Sequence, residues 1–531
     1  MLILHSEEKL ELKDEKQNQT KIKQQKPQKK EKKKVQQNEI KLLKYTKQQK
    51  NVFFEPPLGT IYPRIVQILN HNRVKLIISL LLARFFMYLP FSFVNKEYPM
   101  IKGLQFQQQN FFQILPKYLL TTETTECLFV SVFCGLFMDL YSVFSISQFS
   151  MAVSIIGIII QGFSIISNEM EVFFIGYSFS FFVKLAYLVC FEKIIFDTAV
   201  SFKQASINSS LLNIIACLAR IVSCLVSYFY NEQYTVQFIV LAFSILGIIS
   251  HLIPMRVLFN TIFKIEDQKL SSVEYQKYIK YKNYKMYPSQ IKKIYFQKDY
   301  LYLIFLAIVL LFPTSFKGSS YLRFILKNYS TEICAMYTCF DKIQTFQEEQ
   351  ISFSEYFLDA FHQVGGLLLC TPIVYLVSSQ KNSIQMRYKT IFYTSIVVLI
   401  VCIIQLVFYK LKDSYRSSQA FDITLISIIS TILGASYYLI RVLIIQLHFA
   451  INPQRSSIKG IGIAFIATFT ELQASLFNFF SSSKEDSVYG LLFFFVFIMV
   501  FIILFQYQYL KGKSFDKVQK AVTLKYKILT K

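Results

Sequence analysis

The chain alternates long apolar runs with short polar breaks, and the runs have the length a helix needs to cross a bilayer, ~20 residues at ~1.5 Å each. They predict helices over 75–94, 118–138, 145–166, 172–194, 207–229 and 234–255. A second group follows over 300–326, 355–378, 389–409, 420–448, 457–480 and 487–509. The polar stretches divide the chain. Residues 1–70 include the Lys/Gln segment "KIKQQKPQKKEKKKVQQ", which has too little apolar surface to fold, and read as a disordered tail. Residues 71–255 form a first six-helix half and 300–510 a second. Between them, 256–299 is a Lys- and Tyr-rich linker suited to short amphipathic helices on a membrane surface, and 511–531 is a polar tail.

Composition agrees with the pattern: 53% hydrophobic and 17% aromatic residues and a mean hydropathy of +0.39 describe an all-α, multi-pass integral membrane protein. The formal charge of +24 suggests a nucleic-acid partner until the charges are located. Most lie in the two tails and the linker, which is the positive-inside distribution. Twelve spans put both termini and the linker on one side, so these three basic segments are expected in the cytosol, the lipid bilayer is the expected partner and nucleic acid is not. Abundant Lys, Asn, Ile, Phe and Tyr beside absent Trp also fit biased codon usage, which weakens total charge as a guide to partners. The opening "MLILHSEEKLELKDEKQ" carries charges where a signal peptide needs an apolar core, and its acids do not suit a mitochondrial presequence.

Seven of the nine cysteines fall within apolar runs, where they read as small hydrophobes. Cys334 and Cys339 share the longest loop of the opposite face, about 327–353, and are candidates for a disulfide in an oxidising lumen. Asn328, Tyr329 and Ser330 make a glycosylation sequon in that loop. Five scattered histidines and no Cys-x-x-Cys pair give no expected metal site and no cofactor.

Ionisable groups inside the runs carry the candidate chemistry, because each costs ~2.5–3.5 kcal/mol to place at the bilayer centre and so tends to face a wet cavity or another charge. Arg84, Glu126, Lys184, Arg220, Arg441 and Glu471 are of this kind. Arg220, in "SLLNIIACLARIVSCLV", either grips a substrate carboxylate with its planar fork or is neutralised by an acid such as Glu126. Asn213 adds a polar group to the same helix, and Arg84, Lys184 and Arg441 are further substrate-binding candidates. Glu126 and Glu471 are candidates for proton coupling or charge pairing, as are Asp359 and His362, three residues apart on one helical face. At the end of the second predicted helix, Gly135 and Asp139 lie one turn apart, the glycine allowing close approach of a neighbouring helix and the aspartate free to cap or pair there.

Six helices, a basic linker and six more is the layout of the major facilitator superfamily, and Gly135 with Asp139 resembles the front of its loop motif after helix 2. Leu140 stands where that motif has a basic residue. Three segments resemble the folate–biopterin transporter family: "FDTAVSFKQASINSSLLNIIACLARIVSCLVSYF" through Asp197, Ser210 and Arg220; "ISFSEYFLDAFHQVGGLLLCTPIVYL" through Phe353, Ser354, Phe357 and Leu358; and "INPQRSSIKGIGIAFIATFTELQASLFNFF" through Pro453, Gly460 and Phe465. "TTETTECLFVSVF" and "YYLIRVLIIQLHFAIN" are similar to reduced folate and thiamine carriers, a second choice. The first resemblance implies a monomeric secondary transporter with two six-helix halves, moving a small anionic solute of folate or biopterin type. Two rivals stand beside it: a transporter-like scaffold or sensor, suggested by the incomplete motif after Asp139, and a membrane-embedded transferase, for which no nucleophile pair is evident.

Overall fold

The computed structural model describes residues 74–90, 131–140, 143–167, 169–181, 184–229, 233–267, 291–292, 294–314, 343–411, 419–451, 459–469 and 485–529. Among them the regular structure is entirely helical. The first set comprises α1 (74–90), α2 (Ser131–Leu140), α3 (Val143–Ser167), α4 (Met170–Phe181), α5 (Lys184–Thr198), α6 (Phe202–Phe229) and α7 (Gln233–Asp267). The second comprises α8 (Lys298–Thr314), α9 (Ile343–Ser379), α10 (Ser383–Leu411), α11 (Gln419–Ala450), α12 (Gly460–Phe469) and α13 (Glu485–Lys511), and α14 (Asp516–Leu529) follows it.

Seven of the described helices have an apolar stretch long enough to cross a membrane, within α3, α6, α7, α9, α10, α11 and α13. Large apolar side chains such as Phe149, Phe163, Ile166, Phe497 and Phe501 point outward from them, as lipid contact requires. Several helices outrun their apolar runs. α6 begins at Phe202 rather than 207, because Ser201 Oγ accepts the Gln204 amide at 3.1 Å and caps the first turn. α7 continues to Asp267, so the linker starts as helix, and α9 begins at Ile343, inside the expected 327–353 loop. At 37 residues α9 is ~55 Å long, well beyond the ~30 Å of hydrocarbon it has to cross. The tail after 511 holds a helix of its own, α14.

Two contacts place the helices that matter for function. α9 lies along α11, with Gly365 against the Thr431 carbonyl and Gly434 against the His362 carbonyl. A Cβ at either glycine would run into the opposing backbone, so the helices approach as closely as backbones allow. α9 also packs on α6, joining the two sets: Ser210 Oγ lies 3.2 Å from Thr371 Oγ1, and the Lys203 ammonium sits 4.5 Å above the Tyr375 ring. α11 is buried along most of its length and forms the core of the second set.

Candidate functional site

The polar face of α6 organises the site. Ser206, Ser210, Asn213, Cys217 and Arg220 recur at three- and four-residue spacing, one stripe climbing ~21 Å from Ser206 to Arg220. Three layers of interaction sit along it.

The innermost layer holds two arginines and an aromatic ring. Tyr88 lies one turn beyond Arg84 on α1, and the Arg84 guanidinium stands 4.6 Å from its ring centre. Arg220 reaches the same ring from α6, its guanidinium 5.5 Å from the centre and its Nε donating to Tyr88 Oη at 2.9 Å. Tyr438 on α11 lies within electrostatic reach of Arg220 and Tyr88, and its hydroxyl donates to Gln363 Oε1 on α9 at 2.5 Å. His362 packs edge-on against Tyr438, and its Nε2 faces the Thr314 carbonyl of α8 at 3.3 Å. Four helices, two from each set, therefore meet at two guanidiniums and two phenols.

About two to three turns along α6 lies a charged layer. Glu192 of α5 is fully buried; Asn213 Nδ2 donates to its Oε1 at 3.0 Å and Ser209 stands alongside. Its Oε2 accepts no hydrogen bond of good geometry among the described residues. Arg441 of α11 and Arg84 of α1 are both within electrostatic reach of this carboxylate and are themselves buried. An acid from the first set thus faces an arginine from each.

The third layer closes the end of the bundle. Asp139 Oδ1 accepts the Gly460 amide at 2.7 Å and its Oδ2 the Ile461 amide at 3.1 Å, capping the N-terminus of α12. Lys193 Nζ of α5 donates to Oδ1 at 3.2 Å, so the cation beside Asp139 comes from another helix rather than from position 140. Gly135 lets α2 and α12 touch: a Cβ there would sit 2.6 Å from the Ala464 Cβ and 2.8 Å from the Gly460 carbonyl. Nearby, Arg387 of α10 is wholly buried among Ser206, Ser378, the Ser383 carbonyl and Gln446. Lys459 binds the carbonyls of His448 and Ile451 at the C-terminus of α11 together with the Tyr300 hydroxyl.

Of the residues singled out in the sequence, Arg84, Arg220, Asn213, Arg441 and His362 converge on the first two layers, and Gly135 and Asp139 on the third. Glu126, Glu471, Asn328, Cys334 and Cys339 lie outside the described residues, as do the side chains of Lys184 and Asp359. The structure adds Tyr88, Glu192, Lys193, Gln363, Arg387, Tyr438 and Lys459. Two of these carry a local signal: Tyr88 falls four residues after Arg84 and Tyr438 three before Arg441, each on its arginine's face of the helix.

The fold is similar to that of solved transporters. A bacterial homologue of the iron transporter ferroportin, in its outward-facing state, shares 12% identity over 86% of this chain and 98% of its own, with a TM-score of 0.51. The proton:xylose symporter XylE of the major facilitator superfamily, bound to 6-bromo-6-deoxy-D-glucose, shares 10% identity over 85% of this chain and 99% of its own, also at 0.51. No protein-family model matches the sequence, and no curated protein matches it. At such identities the likeness is one of fold, and the chain is accordingly an all-α membrane protein with the twelve-helix major facilitator fold.

Proposed function

We propose that the protein is a secondary transporter that carries a small, planar organic anion by alternating access, with the folate and biopterin class of pteridines as its solute. The observation that carries this reading is the Tyr88 ring flanked by the Arg84 and Arg220 guanidiniums, with Glu192 and Arg441 one layer away. Guanidiniums take a carboxylate in two parallel hydrogen bonds, and tyrosines offer flat faces to an aromatic solute. A neutral sugar offers no carboxylate for the two guanidiniums to grip. Because α1 and α6 come from the first set and α9 and α11 from the second, a solute held here touches both, which is what lets its binding bias a rocking motion between them.

Proton coupling belongs to the same reading. Glu192 is the acid placed to compete with an anionic solute for Arg84 and Arg441. Protonating it frees the arginines for the solute, so proton and anion travel together. The Asp139 contacts with α12 and Lys193 support a cytosolic gate that is closed in this conformation, with both termini on that side. They also weaken the scaffold alternative, since Lys193 supplies the positive charge that position 140 lacks.

Calorimetry on the purified protein tests the reading. Folic acid and biopterin are expected to bind, and Arg220→Ala to weaken folic acid by ~10- to 100-fold, the loss of a charge-assisted hydrogen-bonded pair of ~1.5–3 kcal/mol. Absence of binding by every pterin and folate tried, with Arg220→Ala indistinguishable from the parent, would sink it.

A further inference from the structure

The helix beyond the last span has no part in the site described above, yet it lies across the seam between the two helix sets. α14 buries Val522 and Tyr526 on one face, continuing the buried Phe515 that precedes it, and exposes Asp516, Lys517, Lys520 and Leu524 on the other. Gln519 Oε1 accepts from Ser383 Oγ at 3.3 Å and from the Ile384 amide at 3.1 Å, which seats α14 on the first turn of α10 in the second set. Four residues past its buried Val522, it touches the first set. Tyr526 Oη donates to the Phe196 carbonyl at the end of α5 at 3.4 Å, and its ring lies 6.0 Å from that of Phe202 at the start of α6. Further contacts cross the seam close by: Phe196 stacks on Phe449 at 3.9 Å, and Arg387 donates to Ser206.

We propose that α14 is a strap that holds the two sets together at the Asp139 end and has to release the first set before α6 and α9 part. The helix is joined by the chain to α13 and by Gln519 to α10, both of the second set, so it travels with that set. The bond that breaks on opening is then the one to the first set, at Tyr526. That contact includes a hydrogen bond of marginal length and a tilted ring contact, and its polar part lies at the end of the bundle, where it opens and closes within a transport cycle. Anything that binds or modifies α14 would shift the equilibrium between the two states of the bundle.

The inference rests on the alternating access proposed above, but its test reads conformation and not transport. Thr371, half-buried at the α6–α9 seam opposite Ser210, is replaced (Thr371→Cys) in full-length protein whose native cysteines have been changed to alanine, and its labelling by a water-soluble maleimide is timed. Tyr526→Ala, or deletion of residues 516–531, is expected to speed labelling about tenfold, the effect of a ~1.4 kcal/mol shift between closed and open forms. Tyr526→Ala keeps the helix, so a truncated chain that fails to fold does not decide the matter. Pairing Phe202→Cys with Tyr526→Cys and oxidising them is expected to hold labelling below the parent rate until reductant is added. An unchanged rate in Tyr526→Ala, or an oxidised pair that labels as fast as the reduced one, would overturn the strap. Faster labelling in a protein that moves no solute would keep the strap and remove the transport reading instead.

Discussion

Arg387 on α10 donates from Nη2 to Ser206 Oγ on α6 at 2.8 Å, a hydrogen bond between the two helix sets made by a fully buried side chain. Its other donors go to Ser378, the Ser383 carbonyl and Gln446, and its plane lies over Phe202 at 4.7 Å. A planar fork fits this four-way site and a compact ammonium does not. Arg387→Lys and Arg387→Ala are both expected to weaken the closed end by ~1–3 kcal/mol, the cost of leaving buried partners unsatisfied. The checks are a lower unfolding temperature of the purified protein and faster maleimide labelling at Thr371→Cys.

At the contact between α2 and α12 the prediction is steric. Gly135→Ala places a methyl within 2.6 Å of the Ala464 Cβ and 2.8 Å of the Gly460 carbonyl, so the two helices have to separate. That variant is expected to stay open at the Asp139 end and to label quickly from that side, whereas Asp139→Asn, which keeps the size and loses the charge, opens it less. Accessibility of single cysteines on α2 and α12, measured from each face of sealed vesicles, distinguishes the two.

Glu192→Gln mimics the protonated acid and removes the competitor for Arg84 and Arg441. The variant is expected to exchange solute across the membrane without accumulating it under a proton gradient, and its folic acid affinity should lose most of its pH dependence. Counterflow and gradient-driven uptake, measured side by side, check this.

Tyr88 separates the hydroxyl from the ring. Tyr88→Phe loses the 2.9 Å bond from Arg220 but keeps the aromatic face, while Tyr88→Ala loses both. The alanine variant should bind biopterin more weakly than the phenylalanine variant by ~0.5–2 kcal/mol, the range of a cation–π or aromatic contact. Calorimetric titration of the two gives the difference.

Hydropathy locates helices such as α3, predicted over 145–166 and found at Val143–Ser167, because lipid contact selects apolar residues along the whole span. It handles helix ends poorly, and three important charges sit there. The apolar pattern stops the fourth span at 194, so Glu192 and Lys193 read as the polar edge of the membrane; α5 in fact runs to Thr198, and neighbouring helices bury both. Arg387 falls before the expected start at 389, yet α10 begins at Ser383 and encloses it. In both places what covers the charge is protein rather than lipid, and one chain's hydropathy carries no record of which helix packs on which. Arg84, Arg220 and Arg441 were legible because they interrupt otherwise apolar runs. Tyr88 and Tyr438 were marked only by their spacing from Arg84 and Arg441, since a tyrosine inside such a run otherwise looks like any other aromatic.

The most direct test of the account is uptake of radiolabelled folic acid into vesicles containing the purified protein, under an inward proton gradient, with Arg220→Ala and Glu192→Gln run in parallel. The account predicts gradient-dependent accumulation by the parent, almost none by Arg220→Ala, and equilibration without accumulation by Glu192→Gln. Equal uptake by all three, or by protein-free vesicles, would contradict it.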